Sequence, residues 1–390
     1  MAISNPKYHQ RLEIFNRMLD DDNPVRVPVL STADAWISTN AGLKVSETYY
    51  SDIPRMKEAF DWFEENVFCD VHFSASPSHP FRLVELFGDS MFRFTDEAYQ
   101  ILGGSGLSLE PEEYPAWIEN FNKCTKEIIL PRKYPKLKTL TEDEAAGLFA
   151  QAILEFMDWG NKGKEVTAYC EETLGLPIVS KGVYLHPADF VFDSLRDFKG
   201  FFSDLRRRPE QVMDAISAYE EAAYQNPMTM GARPNDPSGV VFNPMHSPTF
   251  MNPKQFEKFY LPFMKRAYSR YNREGYRVWC YCEDDWTPIV EMTADTVEPG
   301  HNAYMFEKGD PKYLKDTISR IGCFVGGMPT PLLKTGTEEQ CMDMVKWCVD
   351  ELAPGGKYIF TCGSAFVDKE DCTPERWDKI CRYVRDNSNY

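Results

Sequence analysis

The sequence predicts an α/β fold, a (β/α)8 TIM barrel with helical insertions over the barrel mouth. Three observations carry that expectation. Eight short β-rich segments recur along the 390 residues. Amphipathic stretches, with apolar residues three and four positions apart, separate most of them. One interval, between the second segment and the third, runs to about 110 residues, far beyond an ordinary connection.

The candidate strands are 25–30, 70–73, 182–185, 240–242, 276–280, 303–306, 323–325 and 357–361. Two of the helical stretches are 253–271, with Phe256, Tyr260, Phe263, Met264 and Tyr268 on one face, and 337–352, with Cys341, Met344, Val345, Cys348 and Val349. Alternating strand and helix argues for parallel βαβ units, and eight of these fit a closed barrel better than an open sheet. The chain is therefore read as one barrel domain over 1–390, with its long insertion at about 75–180. Within that insertion, Gly103-Gly104-Ser105-Gly106 lacks the Lys-Ser/Thr of a phosphate cradle and reads as a flexible loop. The last residues, Asn387 to Tyr390, are expected to fray.

Composition narrows the function. With 60 acidic against 43 basic residues the formal charge is −17, which repels nucleic acid and anionic membranes. The one dense basic run, Arg206-Arg207-Arg208 before Pro209, reads as a solvated helix start. No apolar run is long enough for a membrane span. The first residues lack the basic and then apolar segments of a secretory leader, so a cytoplasmic location is expected. Eleven scattered cysteines, an odd number, do not suggest a disulfide framework. Most should be buried small hydrophobes.

Barrel enzymes keep their chemistry at the C-terminal ends of the strands. The fifth segment runs into Trp279-Cys280-Tyr281-Cys282-Glu283-Asp284-Asp285-Trp286. The eighth runs into Cys362-Gly363-Ser364, the sixth into Glu307 and Asp310, the fourth into Asn243 and His246. Cys280 and Cys282, two apart on a strand, share a face. With Cys362 they would suit a zinc ion that keeps one position open. The opposite register turns Tyr281 and Glu283 inward instead, leaving Glu283 and Cys362 with another donor such as His246. Glu283 and His246 are candidate proton acceptors or donors, and His72 and His186 also stand near strand ends.

From Phe250 to about Phe366 the chain resembles the uroporphyrinogen decarboxylase superfamily. The marks are Phe256-Glu257-Lys258-Phe259-Tyr260-Leu261-Pro262, the fifth-strand run, Phe306-Glu307-Lys308-Gly309-Asp310, Gly326 to Leu333, Gly336-Thr337-Glu338-Glu339, and Gly355-Gly356-Lys357-Tyr358-Ile359. Upstream, Asp193 to Gly200 and then Arg208-Pro209-Glu210 are similar too. The resemblance implies a (β/α)8 barrel and two activities, porphyrinogen decarboxylation or methyl transfer to corrinoid proteins. The decarboxylases carry an Arg-rich loop near the N-terminus. The matching stretch here, Val27 to Asp34, has no arginine, and a polycarboxylate would be left unpaired.

The similar methyltransferases bind zinc through His-x-Cys on the fifth strand and a Cys after the eighth. This implies Cys280, Cys282 and Cys362 as metal ligands. A gapless alignment through Thr287-Pro288-Ile289 instead puts Tyr281 and Glu283 at the first two positions. The implied function is transfer of a methyl group, most simply from an aromatic methyl ether, to a corrinoid protein. Glu283, Glu307, Asp310 or His246 would protonate the leaving oxygen, and Tyr281, Glu307, Trp286 and Met328 would touch the substrate. The chain has no Asp-x-His-x-x-Gly motif, so cobalamin would come on a separate partner. A decarboxylase of a small acid and a non-catalytic ligand-binding barrel are the other expectations.

Overall fold

The computed structural model describes residues 3–22, 24–49, 52–75, 80–88, 92–101 and 108–390. Eight parallel strands form the centre. They are β1 (Leu30–Ser31), β2 (Val71–His72), β3 (Ser180–Val183), β4 (Val240–Met245), β5 (Val278–Asp285), β6 (Ala303–Lys308), β7 (Cys323–Met328) and β8 (Tyr358–Cys362). All eight expected strands are present. Strands β3 to β8 pair in sequence order as one sheet, and β1 pairs with β2. Two parallel bridges close the ring, Val29 with Phe360 and His72 with Ile178. At these seams the Phe360 N–H donates to the Pro28 carbonyl, and the His72 N–H to the Pro177 carbonyl, each at 2.9 Å. The result is the (β/α)8 barrel that the alternation predicts.

A buried ion pair fastens the β1–β2 seam. Arg26 grips Asp70 with both guanidinium nitrogens, at 2.7 and 2.5 Å. Asp70 also accepts the Val29 N–H at 2.8 Å. Arg26, just before the first strand, is thus spent on the fold.

The barrel interior is apolar. Leu30, Val71, Trp279, Met305, Val325 and Ile359 belong to one cluster, which the first helix, Pro6–Leu19, completes from below with Tyr8, Leu12, Phe15 and Met18. The ring of Phe15 stacks on Trp279, centroids 6.5 Å apart. A second, larger cluster lies between the strands and the outer helices. All eleven cysteines are buried and unpaired, as small hydrophobes would be.

Two local expectations need correction and one needs refinement. The stretch 253–271 is two helices, Pro253–Phe259 and Leu261–Arg273. Pro262 has no N–H to continue the first helix, and Tyr260 breaks it at φ −119. The arginine run does precede a helix, Pro209–Met230, with Arg208 at its N-cap, but Arg206 and Arg207 also close the helix Asp197–Arg207, where positive charge suits the carbonyl end. The C-terminus does not fray: Asn389 bridges Arg26, and the Tyr390 hydroxyl donates to the Ala353 carbonyl at 2.7 Å.

The long interval before β3 is mainly helical, ending in the 28-residue helix Glu142–Tyr169, and includes a hairpin of Phe92–Phe94 and Tyr99–Ile101. Gly103 to Gly106 lie outside the described residues. No helix among the described residues is long and apolar enough to cross a membrane.

Because Phe15 fills the base of the barrel, Phe15→Ala should cost roughly 3–5 kcal/mol. Urea unfolding followed by circular dichroism checks this. A loss below about 1 kcal/mol would mean that the first helix is not part of the cooperative core.

Candidate active site

The alternation of side chains along β5 decides which groups meet at the mouth. Trp279 is in the interior cluster and Tyr281 packs against it, so Glu283 rises on the same inner face. Cys280 and Cys282 fall on the outer side, buried among strands and helices. The Cys280 thiol donates to the Tyr268 hydroxyl, on helix Leu261–Arg273, at 3.1 Å. Burial pushes both thiols well up, so both stay neutral.

The three-cysteine zinc set is therefore not assembled. A Cys-x-Cys pair takes one face of its strand, and here Trp279 occupies the inner one. Among the described residues no group of three His, Cys, Asp or Glu side chains could hold a metal ion, which also covers Glu283 with Cys362 and His246. Cys362 is buried at the end of β8, its thiol donating to the Ser364 carbonyl at 3.1 Å and 3.6 Å from the Thr32 hydroxyl. Burial raises it to about 11.

The inward register brings other groups together. Burial, then the charges of Glu307 and Glu283, then Cys362, push the Tyr281 hydroxyl up. Tyr281, Glu283, Glu307 and Cys362 stand toward the C-terminal ends of β5, β6 and β8. The half-buried Glu283 carboxyl is raised by burial, with His246 opposing and Glu307 and Asp193 adding to the rise. Glu307 accepts the Asp284 N–H at 2.8 Å. That contact holds a bulge, where the β5–β6 register shifts between Cys282 and Asp285 and Asp284 stands at φ 58.

His246 follows β4, the strand next to β5 that carries Glu283. Its Nδ1 lies 2.8 Å from Asp193 Oδ1, and its ring meets Phe192 at 5.0 Å and Phe250 at 5.8 Å. The Asp193 hydrogen bond, against partial burial, raises the imidazole to about 9, with the charges of Glu283 and Asp189 adding. At neutral pH His246 is an imidazolium, and its Nε2–H is left for a ligand.

A buried carboxylate supports this loop. Asp189 accepts the Ser247 N–H at 2.8 Å, the Ser247 hydroxyl at 2.5 Å and the Tyr260 hydroxyl at 2.7 Å. Burial pushes it up to about 7, with Asp193 adding and these hydrogen bonds opposing. Asp189 and Asp193 escaped notice as site residues. Their spacing, four apart in the apolar run His186-Pro187-Ala188-Asp189-Phe190-Val191-Phe192-Asp193, was the available signal, since it places both on one helical face.

Several expected residues play other parts. Asp310 caps the helix Pro311–Ile318, accepting from the backbone of Lys312 and Tyr313, and is exposed. Trp286 and Met328 are buried in the layer behind the strands, so they support the rim without opening onto it. Trp286 donates to the Glu283 carbonyl at 3.2 Å. His72 and His186 are buried, and burial lowers each to about 3. His186 stacks on Tyr260 at 3.5 Å. His72 lines a cavity of ≈ 40 Å³ with Asp34, Ser38, Thr48 and Ser74. That is room for about three waters, which could meet its unpartnered Nδ1.

Residues 193–372 match the family model described as uroporphyrinogen decarboxylase (URO-D). The matched segment begins at Asp193 and takes in His246, Glu283, Glu307 and Cys362. No curated protein matches the chain. Among solved structures, a methyltransferase from Methanosarcina mazei is similar at 17% identity and a TM-score of 0.63, over 96% of this chain and 98% of its own. The family match thus covers the second half of the barrel, and the structural likeness extends over the whole fold.

Two substitutions separate packing from chemistry. Cys282→Ala should cost roughly 1–2 kcal/mol in urea unfolding and leave the metal content of the purified protein unchanged. Stoichiometric zinc that is lost in Cys282→Ala would restore that cysteine as a ligand. Asp189→Ala strands the buried groups of Ser247 and Tyr260 and should cost roughly 2–4 kcal/mol in the same experiment.

Proposed function

We propose that the chain is a cytoplasmic methyltransferase that moves the methyl group of a small aromatic methyl ether to a corrinoid protein. The partner docks over the barrel mouth and carries the cobalamin. One observation carries this reading: the His246–Asp193 pair at the rim, an imidazolium raised to about 9. A phenol titrates near 10, like tyrosine, so such an imidazolium is a well-matched donor to a phenolate leaving group. Exposed Phe250 flanks the imidazolium and offers apolar contact to an aromatic ring, with buried Phe192 behind it. The name of the similar Methanosarcina mazei protein, a methyltransferase, supports the reaction class.

The reduced corrinoid of the partner supplies the nucleophile and accepts the methyl group. The carbon–oxygen bond breaks with its electron pair left on oxygen. His246 gives that oxygen its Nε2 proton, while Asp193 holds the ring through Nδ1. The Asp193 hydrogen bond, with smaller contributions from Glu283 and Asp189, keeps the imidazole basic enough to be charged beforehand. This proton would activate the leaving group, whichever further group assists.

Incubation with methoxylated aromatics and a cobalt(I) corrinoid protein should produce the absorbance change of corrinoid methylation. No change with any donor overturns the proposal. The rate should fall as pH rises through about 9, where His246 loses its proton. Asp193→Asn should move this limb down toward 6.5, the ordinary imidazole value, and His246→Gln should abolish it and lower the rate by roughly 10²–10⁴-fold. Stability follows the same sign. A raised imidazole contributes fully below 6.5, and that contribution is lost as pH rises through about 9.

A further inference from the structure

We infer that the chain pairs with a second copy of itself through the outward face of the helix Glu142–Tyr169. Of its 28 residues only Ala152, Gly163 and Val166 are buried. At about 100° per residue these three share one face. Ala146, Ala150, Ile153, Leu154 and Met157 lie on the opposite face, turned to solvent. Ile153 is 60% exposed, Leu154 66% and Met157 56%. With Phe156 they make four of the ten exposed large apolar side chains among the described residues, within five positions. A contiguous patch of this kind marks a contact surface.

The pattern along the stripe is complementary to itself in reverse. Set two copies antiparallel, with Ile153 of each facing Leu154 of the other. Ala150 then faces Met157, and Gly147 faces Gly160. A Cβ at Gly147 or Gly160 would meet nothing within 4 Å, so no packing inside the chain calls for these helix-weakening residues. Facing each other, they let two backbones approach. At the ends Asp143 faces Lys164. Both are exposed, and neither has an ion pair among the described residues, whereas neighbouring Lys162 and Glu165 are held by Asp158 and Lys57. A two-fold axis makes the Asp143–Lys164 contact twice, as an isologous interface must. A membrane surface fits poorly, since Glu142, Asp143 and Glu144 crowd one end and the chain carries −17. A single helix pair is a small interface, so the dimer should form and dissociate with concentration.

Sedimentation equilibrium of the full chain, from about 1 to 100 µM, reads this directly. The wild type should approach the dimer mass. Leu154→Asp should be monomeric throughout, with unchanged circular dichroism and unfolding midpoint. Asp143→Lys should weaken pairing at least about tenfold, the loss of roughly 1.4 kcal/mol. The double variant Asp143→Lys/Lys164→Asp should restore pairing, because the reversed charges meet again across the axis. A wild type that stays monomeric, a dimer that survives Leu154→Asp, or a double variant no better than the single one overturns the inference. None of these readings depends on the reaction the barrel catalyses.

Discussion

A strand in a closed barrel can send each side chain in only two directions, inward or toward the helices, and everything at the mouth follows from that constraint. The bridges at Val29–Phe360 and His72–Ile178 close the ring, so no strand can twist free to change its register. Inside, Trp279 is pinned between Phe15 below and Phe73 beside it, ring centroids 6.5 and 6.0 Å away. A large aromatic side chain fits the interior at that level, and its neighbours of opposite parity are forced out. Glu283 and Tyr281 reach the mouth for the same reason that Cys280 and Cys282 do not.

Above the apolar plug, the rim is dominated by carboxylates. Asp193, Glu283 and Asp189 all raise the basicity of His246, Asp193 the most. Partial burial pulls the imidazole down, but the direct Asp193 hydrogen bond outweighs it. For Glu283 the balance is reversed: burial is the largest influence, and His246 only offsets it. One environment thus produces a persistent cation beside a reluctant anion. The buried Asp189 fixes the loop carrying His246 through Ser247, and its bond to Tyr260 ties the loop to the helix break that Pro262 enforces. Fold and charge are coupled at that point.

Much of the fold was legible because periodicity survives in sequence. All eight strands and their parallel order followed from alternation of β-rich and amphipathic segments. Their edges were less legible. The first strand, read at 25–30, forms only at Leu30–Ser31. The fifth, read at 276–280, continues to Asp285 through a bulge. A bulge depends on a distant acceptor, here Glu307, which no local pattern announces. The terminus at Tyr390 is ordered for a similar reason, through Val25 and Ala353, residues far away in the chain. Asp310 was placed correctly after a strand, yet its carboxylate is committed to the backbone of the next helix.

By itself the sequence determined the barrel, the rim on which the chemistry must lie, and the residues that could carry it, since strand period, helix period and chain order are local properties. It left two registers open on β5, and both were consistent with the run Trp279 to Glu283. Tertiary structure made the choice. Whether a side chain faces in or out depends on what fills the barrel below it, and Phe15 and the rest of the first helix lie more than two hundred residues away in the chain. The same holds for the His246–Asp193 contact, which joins segments 53 residues apart. Alternation specifies that a choice exists; only packing specifies which.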